Sequence, residues 1–128
     1  MQKLVLLTAA TLGGLSVGIG AFGAHALRST LEANGRLETF ETATKYQFYH
    51  TLALLAIGIL MYHLPDKRLG YAAVTMVGGI VIFSGSLYIL SLTGTRWWGA
   101  VTPLGGVLLI AGWVLLLISI YQNYQPSR

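Results

Sequence analysis

Cysteine is absent from this chain of 128 residues, and charged residues are scarce. Without a thiol, the chain can form no disulfide, no thiolate metal site and no cysteine nucleophile. It carries eight Lys and Arg residues and four Asp and Glu residues, whereas charged residues make up about 25% of an ordinary soluble domain. The length is enough for one domain, and the scarcity of charge excludes an ordinary soluble one.

Functional motifs are also missing. The formal net charge is +4, but the basic residues are scattered and do not form the stripe of Lys and Arg that a nucleic-acid surface needs. There is no phosphate-binding glycine loop, no nucleophile elbow and no HExxH motif. The sequence therefore predicts no nucleic-acid partner, no catalytic residue and no cofactor.

Long uncharged runs take up most of the chain. A helix that crosses a hydrocarbon core of about 30 Å needs roughly 20 apolar residues. Four runs are long enough for this, and they cover residues 4–24, 46–64, 69–92 and 97–121. They lack the alternation of a membrane β-barrel, and an open strand would leave its backbone unpaired in lipid. The prediction is an all-α integral membrane four-helix bundle with antiparallel spans, forming a single domain over residues 1–128.

The first run has features of a signal peptide, because Lys3 precedes it and Ala24-His25-Ala26 follows it. A signal core is usually about 7–15 residues long, and this run is longer. The sequence therefore favours a retained span.

The only long connection covers residues 25–45. Asn34-Gly35 within it is a strong turn signal. After the turn, residues 36–45 are amphipathic, and Glu41 and Lys45 have the i, i+4 spacing that favours an ion pair. This pattern predicts an interfacial helix over residues 36–45, between the first two spans, either separate or running straight into the second span.

Orientation depends on the basic residues at the two membrane faces. We call the face with both termini side A and the face with the long connection side B. The basic residues divide equally, with Lys3, Lys67, Arg68 and Arg128 on side A and Arg28, Arg36, Lys45 and Arg96 on side B. The positive-inside count is therefore a tie. Since three of the four acidic residues lie beside the basic ones of side B, we expect both termini in the cytoplasm.

Small residues at helical spacing predict where helices approach closely, because lipid supplies no hydrophobic drive between them. The candidate packing residues are Gly14, Gly18, Gly85, Gly105 and Gly106. Such patches can close a tight monomer, or they can face a second copy or another membrane protein. The sequence leaves these alternatives open.

A group of polar residues lies toward side B and consists of His25, Tyr46, Gln47 and His50. Polar groups at this depth are costly unless they face the bundle interior, which makes them functional candidates. The alternative is that they hydrogen-bond across helices and only fix the register of the bundle. A metal or haem between the two histidines is a further alternative, but no close-spaced ligand motif supports it, and we expect no metal.

Four ordered blocks of sequence extend this pattern over nearly the whole chain. They are GAFGAH at 20–25, YQFYH at 46–50, FSGSLY at 83–88 and TPLGG at 102–106. These blocks resemble the YgdD-like family of small membrane proteins, domain of unknown function 423, which includes the mammalian transmembrane protein 256. The resemblance implies four spans and, in bacteria, an inner-membrane location. It implies no established activity, so no catalytic residue can be carried over.

Two functions are compatible with these observations. The first is a non-enzymatic module that binds membrane lipid or assembles with a second copy or another membrane protein. The second is a small transporter or channel, alone or as an oligomer, with a polar mouth at His25, Tyr46, Gln47 and His50.

Overall fold

The computed structural model describes residues 1–126, and all the regular structure in that range is helical. The five helices are α1 (Gln2–Ala24), α2 (Arg28–Ala33), α3 (Leu37–His63), α4 (Lys67–Thr93) and α5 (Trp98–Asn123). The prediction of an all-helical fold is confirmed. Arg128, counted above on side A, lies outside the described residues.

Three helices, α1, α4 and α5, are long and apolar enough to cross a membrane. They correspond to the first, third and fourth predicted spans. By the same measure α3 is not among them, because its first half carries polar residues such as Gln47 and His50. The composition of α3 alone therefore does not identify a fourth span.

The long connection contains a helix that the sequence did not predict. It is the six-residue α2, whose Leu31 is fully buried. The predicted turn at Asn34-Gly35 is present, and Gly35 has a φ of +64°, which glycine adopts without strain. The Asn34 side chain donates to the carbonyl oxygen of Ser91 at 3.3 Å. The connection is thereby tied to the end of α4.

Helix α3 continues without a break from Leu37 to His63. The segment predicted as an interfacial helix, residues 36–45, is thus the beginning of α3 and not a separate element. The physical reason is that no glycine or proline occurs in α3 before Gly58, so nothing interrupts the helical hydrogen bonds.

The turn between α3 and α4 is held by Asp66. Its carboxylate accepts hydrogen bonds from the backbone N–H of Arg68 at 3.0 Å and the side-chain amide of Asn123 at 2.8 Å. The Arg68 N–H, together with the charge of Arg68 and further hydrogen bonds, lowers the pKa of Asp66 below its usual value. The charged carboxylate therefore caps α4 and joins its start to the end of α5.

Helix α3 has a central place in the bundle. It packs against α1 and α4, and α4 packs against α5. The main hydrophobic core draws on all four long helices and lies toward side A, with buried members Val5, Ala9, Ala53, Leu54, Ile57, Leu69, Ala72, Ala73, Met76 and Leu116. The half of the bundle toward side B is held together differently, by polar contacts.

Glycine sets the contact between α4 and α5. A Cβ atom added at Gly105 would overlap the backbone of Phe83, whose Cα would be 2.7 Å away. At the neighbouring Gly106, an added Cβ would meet only the edge of the Phe83 ring at 3.8 Å, an ordinary contact. Close approach of the two helices thus depends on Gly105 much more than on Gly106.

The other predicted packing glycines face away from the bundle. No atom from another part of the described chain would lie within 4 Å of a Cβ added at Gly14, Gly18 or Gly85. Helix α1 instead uses Ala9, which is buried, and Gly23, which packs on Phe40. The spacing of small residues predicted a patch on α1, but it did not predict whether this patch faces the other helices.

We predict that Gly105→Ala lowers the free energy of unfolding by about 1–3 kcal/mol, the usual cost of overpacking. Gly106→Ala is the matched control and should leave stability unchanged or raise it by up to about 1 kcal/mol, since alanine favours a helix. Thermal unfolding in mild detergent measures both variants. Equal losses for the two would show that Gly105 does not set this contact.

Candidate functional site

Polar side chains meet between the helices in the half of the bundle toward side B. They come from α3, α4 and α5, and we call them the polar layer: Gln47, His50, Thr51, Ser84, Ser86, Tyr88, Thr102 and Trp113. All are buried or partly buried except Trp113, which is 46% exposed. Two of the four residues in the predicted polar group, Gln47 and His50, belong to this layer.

His50 is 7% exposed and has a partner for each ring nitrogen. Its Nδ1 lies 2.7 Å from the carbonyl oxygen of Tyr46, and its Nε2 lies 3.0 Å from the indole nitrogen of Trp113. A carbonyl can only accept and an indole N–H can only donate. The neutral imidazole with its hydrogen on Nδ1 therefore satisfies both partners and links α3 to α5.

Aromatic rings pack beside His50 on the side toward the beginning of α3. The ring of Tyr46 stacks near the imidazole, with centroids 5.9 Å apart, and contacts Phe83 of α4 at 4.7 Å. Tyr46 itself is 40% exposed. Tyr46 and His50 thus lie together, as is usual for residues at i and i+4 on a helix.

Gln47 lies three residues before His50 but contacts different helices. Its Oε1 accepts from the Tyr88 hydroxyl of α4 at 2.5 Å, and its Nε2 points at the carbonyl oxygen of Leu12 of α1 at 3.5 Å. The first contact is a short hydrogen bond and the second is at the distance limit. Gln47 therefore joins α3 to α4 and reaches toward α1.

Serine and threonine hydroxyls complete the layer. Ser84 donates to the backbone carbonyl of Ala43 at 2.7 Å, which links α4 to α3. Ser86 and Thr102 share a hydrogen bond of 2.6 Å between α4 and α5. Each contact across the layer therefore joins two helices, and the layer fixes their register.

His25 lies apart from the other three predicted residues. It is exposed at the end of α1. Gly23 packs on Phe40, and Phe40 precedes His50 by ten residues, so about 15 Å of helix separates the levels of the two histidines. Over residues 1–126, no group of three His, Asp or Glu side chains is placed to hold a metal ion.

Trp113 and Tyr88 are the two aromatic residues among the six polar-layer residues that sequence reasoning did not select. Both lie within apolar runs, where an aromatic residue usually packs in a core or faces lipid. The position of Trp113 in the sequence could have identified it. Trp113 lies far from either end of α5 and outside the interfacial belts where Trp is enriched. Its N–H needed a partner inside the protein.

Comparisons with known proteins place the chain among membrane proteins. The pattern of the family described as "Protein of unknown function (DUF423)" matches residues 19–106. The chain is 46% identical to a UPF0382 membrane protein of Staphylococcus saprophyticus, over 94% of this chain and 99% of that one. It is 40% identical to the UPF0382 inner membrane protein YgdD of Escherichia coli K12, over 91% and 88%. No solved structure matches the chain.

We predict that Gln47→Leu and Tyr88→Phe each destabilise the bundle, because each leaves a buried polar group without its partner. The double variant should lose less free energy of unfolding than the two single variants lose together. The difference should be about 0.6–1.7 kcal/mol, the coupling found for hydrogen bonds between membrane helices. Unfolding by a denaturing detergent measures this cycle. Gln47→Leu with Ser86→Ala is the control and should be additive, and an additive Gln47–Tyr88 pair would contradict the hydrogen bond.

Proposed function

The chain belongs to the DUF423 family of membrane proteins of unknown function, and on that premise we propose a non-enzymatic four-span module that binds membrane lipid at its lateral surface. The observation that carries the proposal is the contrast between a polar layer with paired groups and open clefts between the helices. The donors and acceptors of the polar layer are hydrogen-bonded within the protein, whereas we place the clefts toward the lipid.

The geometry of α3 supports a fourth span. Gly58, near the side-A end of α3, packs against Val5 and Leu6 of α1, and Phe40, near its other end, packs against Gly23. These contacts are about 27 Å apart along α3 at 1.5 Å per residue, close to the thickness of a hydrocarbon core. A helix that follows α1 over this length crosses the membrane with it. Its polar residues are tolerated because they face other helices.

The clefts have the size and lining of lipid sites. Two clefts of about 200 and 490 Å³ lie beside α4 toward side A, and both are lined by Met1 and Val74. A further cleft of about 340 Å³ lies between α1 and α3 toward side B. Volumes of about 300–1,000 Å³ are typical of small-molecule sites. We place lipid acyl chains in these clefts.

A transporter or channel is supported less well. Such a function would need His25, Tyr46, Gln47 and His50 to line one opening. His25 lies apart from them, and Gln47 and His50 bind different helices. The same hydrogen bonds occupy the donors and acceptors that a permeating ion would need.

For orientation, we propose both termini in the cytoplasm and the beginning of α3 at the opposite membrane surface. With 27 residues, α3 exceeds by several residues the roughly 20 needed for one crossing. The excess lies at its beginning, where Glu38 and Glu41 are exposed. Each side has one ion pair, Arg28–Glu32 on side B and Arg68–Asp66 on side A, so the proposal rests on the two further acidic residues of side B, Glu38 and Glu41.

Four spans require both chain ends on one side of the membrane, and three require opposite sides. We predict that fluorescent-protein fusions at either end fold in the cytoplasm of expressing bacteria. The lack of cysteine permits a second readout, since Ser29→Cys should react with an impermeant maleimide from outside and Gln125→Cys should not. Ends on opposite sides would contradict a spanning α3.

Lipid binding predicts that phospholipid stays with the protein during purification in mild detergent. Native mass spectrometry should show the chain with bound phospholipid that survives detergent exchange. A monomer with neither lipid nor protein bound would contradict the proposal. A homodimer without lipid would instead favour assembly through outward faces such as that of Gly14 and Gly18.

A further inference from the structure

The cleft between α1 and α3 is lined by three charged side chains, two basic and one acidic. Its walls are small or apolar, with Gly20 and Gly23 on α1 and Phe40 on α3. At its rim are Arg28, Glu41 and Lys45. An apolar cleft with a few convergent charged groups is the usual form of a site for an amphipathic ligand.

The floor of this cleft is fixed by packing. The Phe40 ring is 3% exposed and fills the space that the missing side chain of Gly23 leaves. Its other neighbour is the Tyr88 ring of α4, with centroids 5.2 Å apart. Phe40 thus packs between Gly23 of α1 and Tyr88 of the polar layer.

The rim charges do not neutralise each other. Glu41 and Lys45 have the spacing of a favourable ion pair, yet the ion pairs among the described residues are Arg28–Glu32 and Arg68–Asp66. Glu41 and Lys45 line the cleft instead. Arg28 uses its Nε for Glu32, and its guanidinium has further N–H groups available.

We propose that this cleft binds the headgroup of an aminophospholipid such as phosphatidylethanolamine. The phosphate lies between Arg28 and Lys45, since both cations favour a phosphate. The primary ammonium donates to the Glu41 carboxylate, a charge-assisted hydrogen bond. The apolar walls contact the upper part of an acyl chain. The assignment rests on the lipid-binding function proposed above and names its ligand class.

Headgroup chemistry gives a definite order of preference. Phosphatidylcholine has a quaternary ammonium without N–H, so it cannot hydrogen-bond to Glu41. Phosphatidylglycerol has no cation, and Glu41 repels its net negative charge. The expected order is phosphatidylethanolamine first, with each of the other two bound about tenfold more weakly, the factor for one charge-assisted hydrogen bond.

The test is native mass spectrometry of the full chain titrated with each of the three phospholipids. Glu41→Gln should reduce the preference for phosphatidylethanolamine to about twofold or less, and Lys45→Gln should weaken all three lipids. Glu38→Gln and Arg96→Gln are matched controls, because both residues are exposed near side B but outside the cleft. Both controls should bind as the unchanged chain does.

Three results overturn parts of the account in different ways. If the unchanged chain binds none of the lipids, the proposed function fails and the assignment fails with it. If it binds all three equally, or if Glu41→Gln and Glu38→Gln have the same effect, only the assignment of this cleft fails. Equal thermal unfolding of the variants excludes misfolding as the cause of any loss.

Discussion

A polar side chain between membrane helices has to find its hydrogen-bond partner within the protein. This constraint determines how α3 sits in the bundle. Gln47 and His50 would be costly against lipid, and they are paired with Tyr88 on α4 and Trp113 on α5. Ser84 adds a link from α4 back to α3. The least apolar of the long helices therefore lies between α1 and α4, with its polar residues turned toward its neighbours.

The polar layer inside the bundle and the clefts at its surface differ in their chemistry. Inside the polar layer, donors and acceptors are matched between helices, which fixes register and leaves little capacity for a ligand. At the surface, the clefts expose apolar walls, and at the rim of one of them Glu41 and Lys45 remain unpaired with each other. Phe40 connects the two regions, because it forms the floor of that cleft and contacts Tyr88. The register that the polar layer sets thus also shapes this cleft.

Sequence reasoning predicted the parts of the fold that depend on local physics. The apolar runs predicted the helices, and Asn34-Gly35 predicted the turn, because these signals depend on residues close together in the sequence. It did not predict α2, since six residues are too few for a periodic pattern. It also did not predict that Gly14 and Gly18 face outward while Gly105 meets Phe83. The rotation of a helix about its own axis is set by tertiary contacts, and the partners of Gln47 and His50 depend on the same rotation.

The most direct test of this account is the state of the His50 ring. Solid-state nitrogen NMR of the histidine-labelled protein in lipid bilayers at neutral pH distinguishes the ring tautomers. The account predicts a neutral His50 with hydrogen on Nδ1 and an Nε2 that accepts from the Trp113 indole, so that Trp113→Phe alters the Nε2 signal. A ring with hydrogen on Nε2, or an Nε2 signal that does not change in Trp113→Phe, would contradict the paired polar layer.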